Sequence, residues 1–203
     1  MRVVVPYDAT TPKTRLGDVL DPAEREAFAL AMLRDVIDTV VAADGAPEVL
    51  ATAPVDVAAP VTVDDRALTP AVNDVLASAD PPIAIVMADL ALATPTALER
   101  VFATDTDLAL VPGLGGGTNA ILTRVPDFSV DYHGASIRDH RRIAAELGAS
   151  VTMVDSMRLA TDIDEPSDLA EVLLHADGRA ADWVRDRFDL DTRDGRVTVT
   201  RRT

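Results

Sequence analysis

The sequence predicts an α/β fold, a single three-layer domain built on a mostly parallel sheet. Short apolar runs of strand length, such as Val3–Val5 and Ile83–Ala88, alternate with longer segments of helical spacing through most of the chain. The runs are unbroken, as strands buried on both faces of a parallel sheet require. At 203 residues the chain is long enough for one domain with a full core.

The first strand is Arg2–Pro6, and a loop containing Lys13 follows it. Asp21-Pro22-Ala23-Glu24 then reads as a helix start, with an N-cap, a proline at the first helical position and an acid at the third. Phe28, Leu33, Val36, Ile37 and Val40 carry this helix to about Val41. Glu48–Ala53 and Ala59–Val63 read as short strands, and Thr69-Pro70 opens a helix to about Ala79. Ile83–Ala88 is a strand ending at Asp89, and Thr94-Pro95 begins a helix to about Ala103. Asp107–Val111 is a strand that leads into the loop GLGGGTN, and Asn119–Arg124 is the next strand. Ser136–Leu147 is a helix stopped by Gly148, Val151–Val154 a strand, and Pro166–Ala176 a helix. These elements make a domain over residues 1–176. Residues 177–203 depart from the alternation and are expected as an appendage. It comprises a short helix over Ala180–Phe188, with Trp183, Val184 and Phe188 on its apolar side, a turn at Asp194-Gly195, and a terminal strand over Arg196–Thr200.

The formal net charge is −15, from 34 acidic and 19 basic residues, and Lys13 is the only lysine. A phosphate backbone would be repelled by this surface, which argues against a nucleic-acid partner. The acid excess is spread along the chain. It reads as a halophile-type surface whose self-repulsion strong salt would screen, or as the product of a GC-rich genome that favours Arg over Lys. No run approaches membrane-spanning length, the start lacks a signal-peptide pattern, and the absence of Cys suits the cytoplasm.

An acidic protein that handles anionic substrates needs local cations or metal. In open α/β sheets ligands bind beyond the carboxyl ends of the strands, and four polar clusters fall at strand ends here. Lys13 and Arg15 flank Thr14; they could neutralise a polyphosphate, or serve the acidic field as a surface pair. Asp89, in MADLAL, could hold a divalent cation or cap the following segment. Asp162 and Asp164, in TDIDEP, project to one side of an extended segment and could share a Mg²⁺; alternatively Asp164 caps the next helix. Gly115–Gly117 would let backbone N–H groups approach a phosphate or carboxylate, or form a plain hairpin turn. GLGGGTN is neither a Walker A loop nor a dinucleotide fingerprint. Gly134 and Ser136, in YHGASIRDH, offer an anion site at a helix start, or Ser136 is an N-cap. His140 and His175 read as ordinary surface or packing residues.

Taken in order, VPYDATTPKTRL, MADLAL, GGGTNAIL, YHGASIRDH and DIDEPSDL resemble the 2-phospho-L-lactate guanylyltransferase family of deazaflavin coenzyme F-420 biosynthesis, over about residues 2–175. The resemblance implies the Rossmann-like nucleotidyltransferase fold shared with molybdenum-cofactor guanylyltransferases. It implies GMP transfer from GTP to 2-phospho-L-lactate, or to phosphoenolpyruvate or another small phosphorylated acid, with release of pyrophosphate. A non-catalytic nucleotide-binding regulator on the same fold is the alternative. The matching positions imply that Asp89, Asp162 and Asp164 hold Mg²⁺, with Asp89 also counted as catalytic beside Lys13 and Arg15 at the nucleotide phosphates. They imply that Gly116, Gly117, Thr118, Asn119, Gly134 and Ser136 hold the phosphorylated acid. A homodimer is implied as well. The chain departs from many relatives at Asp8, where a Lys is common, at His133, where Gly is common, and at Leu68-Thr69, where relatives have Leu-Asn.

Overall fold

The computed structural model describes residues 1–193, 195 and 197–202. Seven strands form one sheet in the order β3-β2-β1-β4-β6-β5-β7: β1 (Arg2–Tyr7), β2 (Ala46–Ala51), β3 (Val61–Val63), β4 (Ile83–Val86), β5 (Leu108–Pro112), β6 (Thr118–Thr123) and β7 (Val151–Met153). All neighbours are parallel except β6, which runs antiparallel to both β4 and β5.

Two observations explain why these residues form these elements. Val3 and Val5 face one side of β1 and Val4 the other, and all are buried, so a continuous Val run is satisfied on both faces. The helix α1 (Pro22–Ala42) begins with a full capping box: Glu24 N–H donates to Asp21 Oδ1 (2.9 Å) and Asp21 N–H to Glu24 Oε2 (3.1 Å). Leu33, Val36, Ile37 and Val40 of α1 and Leu98 and Val101 of α3 (Pro95–Phe102) cover one face of the sheet. Val72 and Leu76 of α2 (Leu68–Ser78) and Ala144 of α4 (Ser136–Glu146) cover the other, which completes the three layers.

Connections from β1 run to β2 on one side, while β4 lies on its other side. The carboxyl ends of β1 and β4 therefore flank a topological switch point, where a crevice opens. Because β6 is reversed, its first residues reach the same edge: Val86 pairs with Ala120, and Met87 N–H donates to Asn119 C=O (3.0 Å). The antiparallel β6 thus places Thr118 and Asn119 beside Asp89.

Several boundaries differ from expectation. Leu68 rather than Thr69 opens α2, and the Thr69 hydroxyl is used elsewhere, accepting from Tyr132 N–H (2.9 Å). A four-residue helix, α5 (Met157–Ala160), had no sequence signal at that length. The helix expected from Pro166 starts at Asp168 (α6, Asp168–His175). The Asp168 carboxylate accepts from Asp164 N–H and Glu165 N–H (3.0 and 2.7 Å), which folds the residues around Pro166 into a turn.

Among the described residues after 176, a helix packs onto α1 and α6, and a strand onto α6. The helix α7 (Arg179–Arg185) buries Ala180, Ala181 and Val184 with Phe28 and Met32, and Trp183 stacks on Phe28 at 5.0 Å between ring centroids. Phe188 does not extend this helix. It begins β8 (Phe188–Asp191), which pairs antiparallel with β9 (Thr198–Arg201) in a small second sheet. Of the predicted turn and strand start, Asp194 and Arg196 lie outside the described residues.

Candidate active site

The loop after β1 is held from both ends. Asp8 accepts at Oδ1 from Thr10 N–H (2.9 Å), Thr11 N–H (3.1 Å) and the Thr52 hydroxyl (3.1 Å). Burial pushes its pKa up, but these hydrogen bonds outweigh that and hold the carboxyl below its ordinary range. Asp8, at a position where the resemblance implies a cation, is thus consumed in shaping the loop. At the other end, Leu16 is fully buried and anchors a turn of 3-10 helix, Thr14–Leu16.

Between these anchors Lys13 adopts a left-handed backbone conformation, with φ 52° and ψ 43°. A non-glycine residue seldom does so, and such strain persists only where the surroundings over-determine it. Here the determinant is ionic. Lys13 Nζ lies 2.6 Å from Asp89 Oδ2 and 2.8 Å from Asp164 Oδ1. Burial would strip the charge from this amine, but Asp89 and then Asp164 more than compensate and hold its pKa above the ordinary value. Asp164 responds in kind: burial raises its pKa, and Lys13 and Arg15 bring it below the usual range. Arg15 is exposed and reaches Asp164 Oδ2 at 3.1 Å. The sequence pair Lys13/Arg15 therefore divides into one buried and one solvated cation.

Asp162 is turned toward β6. Asn119, buried, donates its amide N–H groups to Asp162 Oδ1 (3.1 Å) and to the Leu159 carbonyl (3.0 Å). A Cβ on Gly113 would lie 2.6 Å from Asn119 Oδ1, so a glycine is required there for Asn119 to take this position. Asn119, expected as a substrate ligand, lines the pocket beside Thr118 and also holds Asp162. Burial, opposed in part by Asn119, and the neighbouring Asp89 and Asp164 raise the Asp162 pKa.

The fit of this constellation to a divalent cation rests on its donor set. Asp89 Oδ1 is buried without a hydrogen-bond partner, and a hard oxygen in that state suits Mg²⁺. As the side chains stand, no three acidic or His side chains among the described residues are gathered closely enough to hold a metal ion, since Lys13 occupies the space between Asp89 and Asp164.

The second half of the crevice, about 220 Å³, is lined by Thr118, His133, Gly134, Ser136, Asp89 and Asp162 among others. Gly134 has φ 52° and open space around its Cβ position, so its backbone is accessible. Gly116 has φ 88° within the hairpin turn joining β5 and β6, and its carbonyl accepts from Ile137 N–H (3.3 Å). The turn is therefore both a hairpin and the wall of a pocket. Ser136 is not an N-cap: Ala135 holds that position, and Ser136 Oγ lies 3.1 Å from Thr118 Oγ1 inside the protein. His133 is exposed, with Nδ1 2.5 Å from Asp131 Oδ1. His140, taken from sequence as ordinary, is completely buried and contacts Thr118 Oγ1 at 2.8 Å. Its only sequence signal was its place one turn after Ser136.

On the other side, a cleft of about 270 Å³ runs past Lys13, Thr14 and Asp89, and continues into one of about 580 Å³ beside Leu50, Asp65, Arg66 and Leu68. Met87 lines all three cavities.

The family model described as Guanylyl transferase CofC like matches residues 1–202. The 2-phospho-L-lactate guanylyltransferase of Halomicrobium mukohataei is 61% identical over 202 residues, covering 99% of this chain and 100% of that protein. That of Haloarcula marismortui is 60% identical over 206 residues, with 99% of each chain covered. In three dimensions, a protein from Desulfovibrio desulfuricans matches with a TM-score of 0.73 at 13% identity, covering 91% of this chain and 94% of that one. A nucleotidyl transferase from Methanothermobacter thermautotroptrophicus matches with a TM-score of 0.63 at 13% identity, covering 91% and 98%. The solved structures establish the nucleotidyltransferase-like fold, and the match over nearly the whole length shows that this chain belongs to the CofC-like guanylyl transferase family.

Proposed function

We propose that this protein transfers GMP from GTP to 2-phospho-L-lactate, releasing pyrophosphate and forming lactyl-2-diphospho-5'-guanosine. The observation that carries the reading is the buried Lys13 ammonium held between Asp89 and Asp164 at the switch point, in a protein with no other lysine. A pre-placed cation at this position suits polyphosphate chemistry, which asks for positioning and charge neutralisation more than covalent catalysis.

In this reading the guanine lies in the cleft beside Asp64-Asp65-Arg66, and the GTP phosphates cross the loop of Lys13 and Arg15. The phosphorylated acid enters the pocket of Gly117, Thr118, Gly134 and Ser136. A phosphate oxygen of the acid forms a bond to the α-phosphorus. The bond from that phosphorus to the α–β bridging oxygen breaks, and pyrophosphate leaves with the electron pair. Lys13 and Arg15 offset the negative charge gathering on the leaving group. Asp89, Asp162 and Asp164 would hold Mg²⁺, which supplies further charge neutralisation at the phosphates. A homodimer in the cytoplasm belongs to the same proposal, and light scattering tests the dimer.

Pyrophosphate release in high KCl with Mg²⁺ and GTP tests the reaction, with phospholactate and phosphoenolpyruvate supplied separately and CTP and ATP as controls. Release requiring GTP and phospholactate together supports the proposal. Release only with phosphoenolpyruvate reassigns the acceptor, and none from folded, GTP-binding protein leaves a regulator.

A further inference from the structure

His140 is fully buried behind the acid pocket, against its lining residue Thr118, and its hydrogen bonds define its protonation. Nε2 lies 2.9 Å from the backbone N of Asp131, which can only donate. Nε2 must therefore present its lone pair. Burial pushes the ring's pKa down to about 4, against weaker opposite effects of Asp131 and Asp139, so the imidazole is neutral at physiological pH. Its single N–H is then on Nδ1, which faces Thr118 Oγ1 at 2.8 Å and donates to it. Tyr132, edge-on with ring centroids 5.0 Å apart, and Phe128 at 6.2 Å hold the ring in place.

This tautomer decides what the pocket offers a ligand. Thr118 and Ser136 carry two hydroxyl protons between them and share one hydrogen bond of 3.1 Å. When His140 donates to Thr118, one proton serves that bond and the other is free for a ligand, whichever hydroxyl holds it. Were Nδ1 bare, the Thr118 proton would go to His140 and the Ser136 proton to Thr118. The pocket would then face an anion with oxygen lone pairs alone.

We propose that His140 is a positioning residue that, with its tautomer set by the Asp131 backbone N–H, keeps one hydroxyl proton of the Thr118/Ser136 pair available to the anionic acceptor substrate. The inference rests on the reading that this pocket takes the phosphorylated acid.

The test has a spectroscopic and a kinetic arm. In protein labelled with ¹⁵N-histidine, long-range ¹H–¹⁵N correlation reports the tautomer of His140, assigned with His133→Asn and His175→Asn. The expected form is Nδ1–H, and an Nε2–H form overturns the proposal. In kinetics with phospholactate and GTP, His140→Met places a sulfur that can only accept against Thr118, while His140→Phe places neither donor nor acceptor there. The acid KM of His140→Met should exceed that of His140→Phe at least about threefold, with the GTP KM of the two equal within about twofold. Should either variant fail to fold, the tautomer measurement on the wild type still decides. Equal acid KM values in the two folded variants, with Ser136→Ala raising it over the wild type, overturn the role of His140 alone. An unchanged acid KM in Ser136→Ala as well removes the pocket reading together with the proposal.

Discussion

Lys13 Nζ lies 2.8 Å from Asp164 Oδ1 although the two residues are 151 positions apart in the chain. Asp89, on a third segment, completes the arrangement at 2.6 Å. Removing the ammonium would leave two partly buried carboxylates facing each other with only the solvated Arg15 nearby. Lys13→Ala is therefore expected to lower kcat/KM at least about a hundredfold, because the cation serves the transferring phosphates. The same variant should bind Mn²⁺ more tightly than the wild type in the absence of nucleotide, since the carboxylates lose their internal counter-ion. Electron paramagnetic resonance titration checks this, and weaker Mn²⁺ binding would contradict the site.

Asp89→Asn and Asp162→Asn are each expected to abolish turnover with the fold intact. Asp162 has a second signature. Its carboxylate is held among like charges, and its raised pKa means that ionisation at neutral pH works against folding. The sign follows: a carboxyl raised in the folded state loses stability as pH rises through its folded pKa. Asp162→Asn keeps an acceptor for Asn119 and removes that burden. Its Tm without metal should exceed the wild-type value by about 2 °C at neutral pH. Calorimetry in metal-free buffer measures it.

Asp8 shapes the loop rather than binding phosphate. Asp8→Asn preserves an acceptor for Thr10 and Thr11 and should retain activity within about threefold, whereas Asp8→Ala hands three donors to water, loosens the loop that carries Lys13 and should raise the GTP Kd about tenfold. Equal behaviour of the two variants in GTP titrations would contradict this. The Asp8 pKa is lowered on folding, so the contribution is present at neutral pH and is lost as pH falls through the folded pKa.

Asp35 of α1 holds the start of α7, beside the ion pairs Arg179–Asp38 and Arg201–Glu24. Asp35 accepts from Ala180 N–H at 2.8 Å and from Arg179 N–H at 3.1 Å, and a Cβ on Gly178 would come within 3.0 Å of its Oδ2. Asp35→Ala should cost about 2 kcal/mol, or a fall in Tm of about 4–8 °C, with little change in initial rate at low temperature. Thermal melts beside an initial-rate assay separate the two.

A net charge of −15 on 203 residues predicts salt dependence. Raising KCl from about 0.2 M to about 3 M shortens the Debye length to a few ångströms or less and should raise Tm markedly. A flat or falling melt series would return the acidic surface to mere composition. The relatives named above come from haloarchaeal genera, consistent with the salt reading.

The alternation of strand and helix patterns carried the α/β class and the four strand-end clusters, and the order of motifs carried the resemblance to the family. Local chemistry is enough for the elements: a Val run, a capping box and a Gly-rich turn each depend on neighbouring residues. What the sequence could not determine was which donor meets which acceptor. Asn119 read as a substrate ligand; it lines the pocket and also holds Asp162, because the reversed β6 points its amide at α5 and at the segment beyond it. Ser136 read by default as a cap, with an anion ligand as the alternative, and only the tertiary structure shows that it bonds Thr118 and caps nothing. His140 carried no pattern, since burial and tautomer arise from contacts with Asp131 and Thr118 rather than from spacing. The sequence by itself determined the fold and the kinds of charge at the site. The tertiary structure alone decided that Lys13 sits between Asp89 and Asp164, because that contact depends on the sheet order that brings three distant segments to one edge.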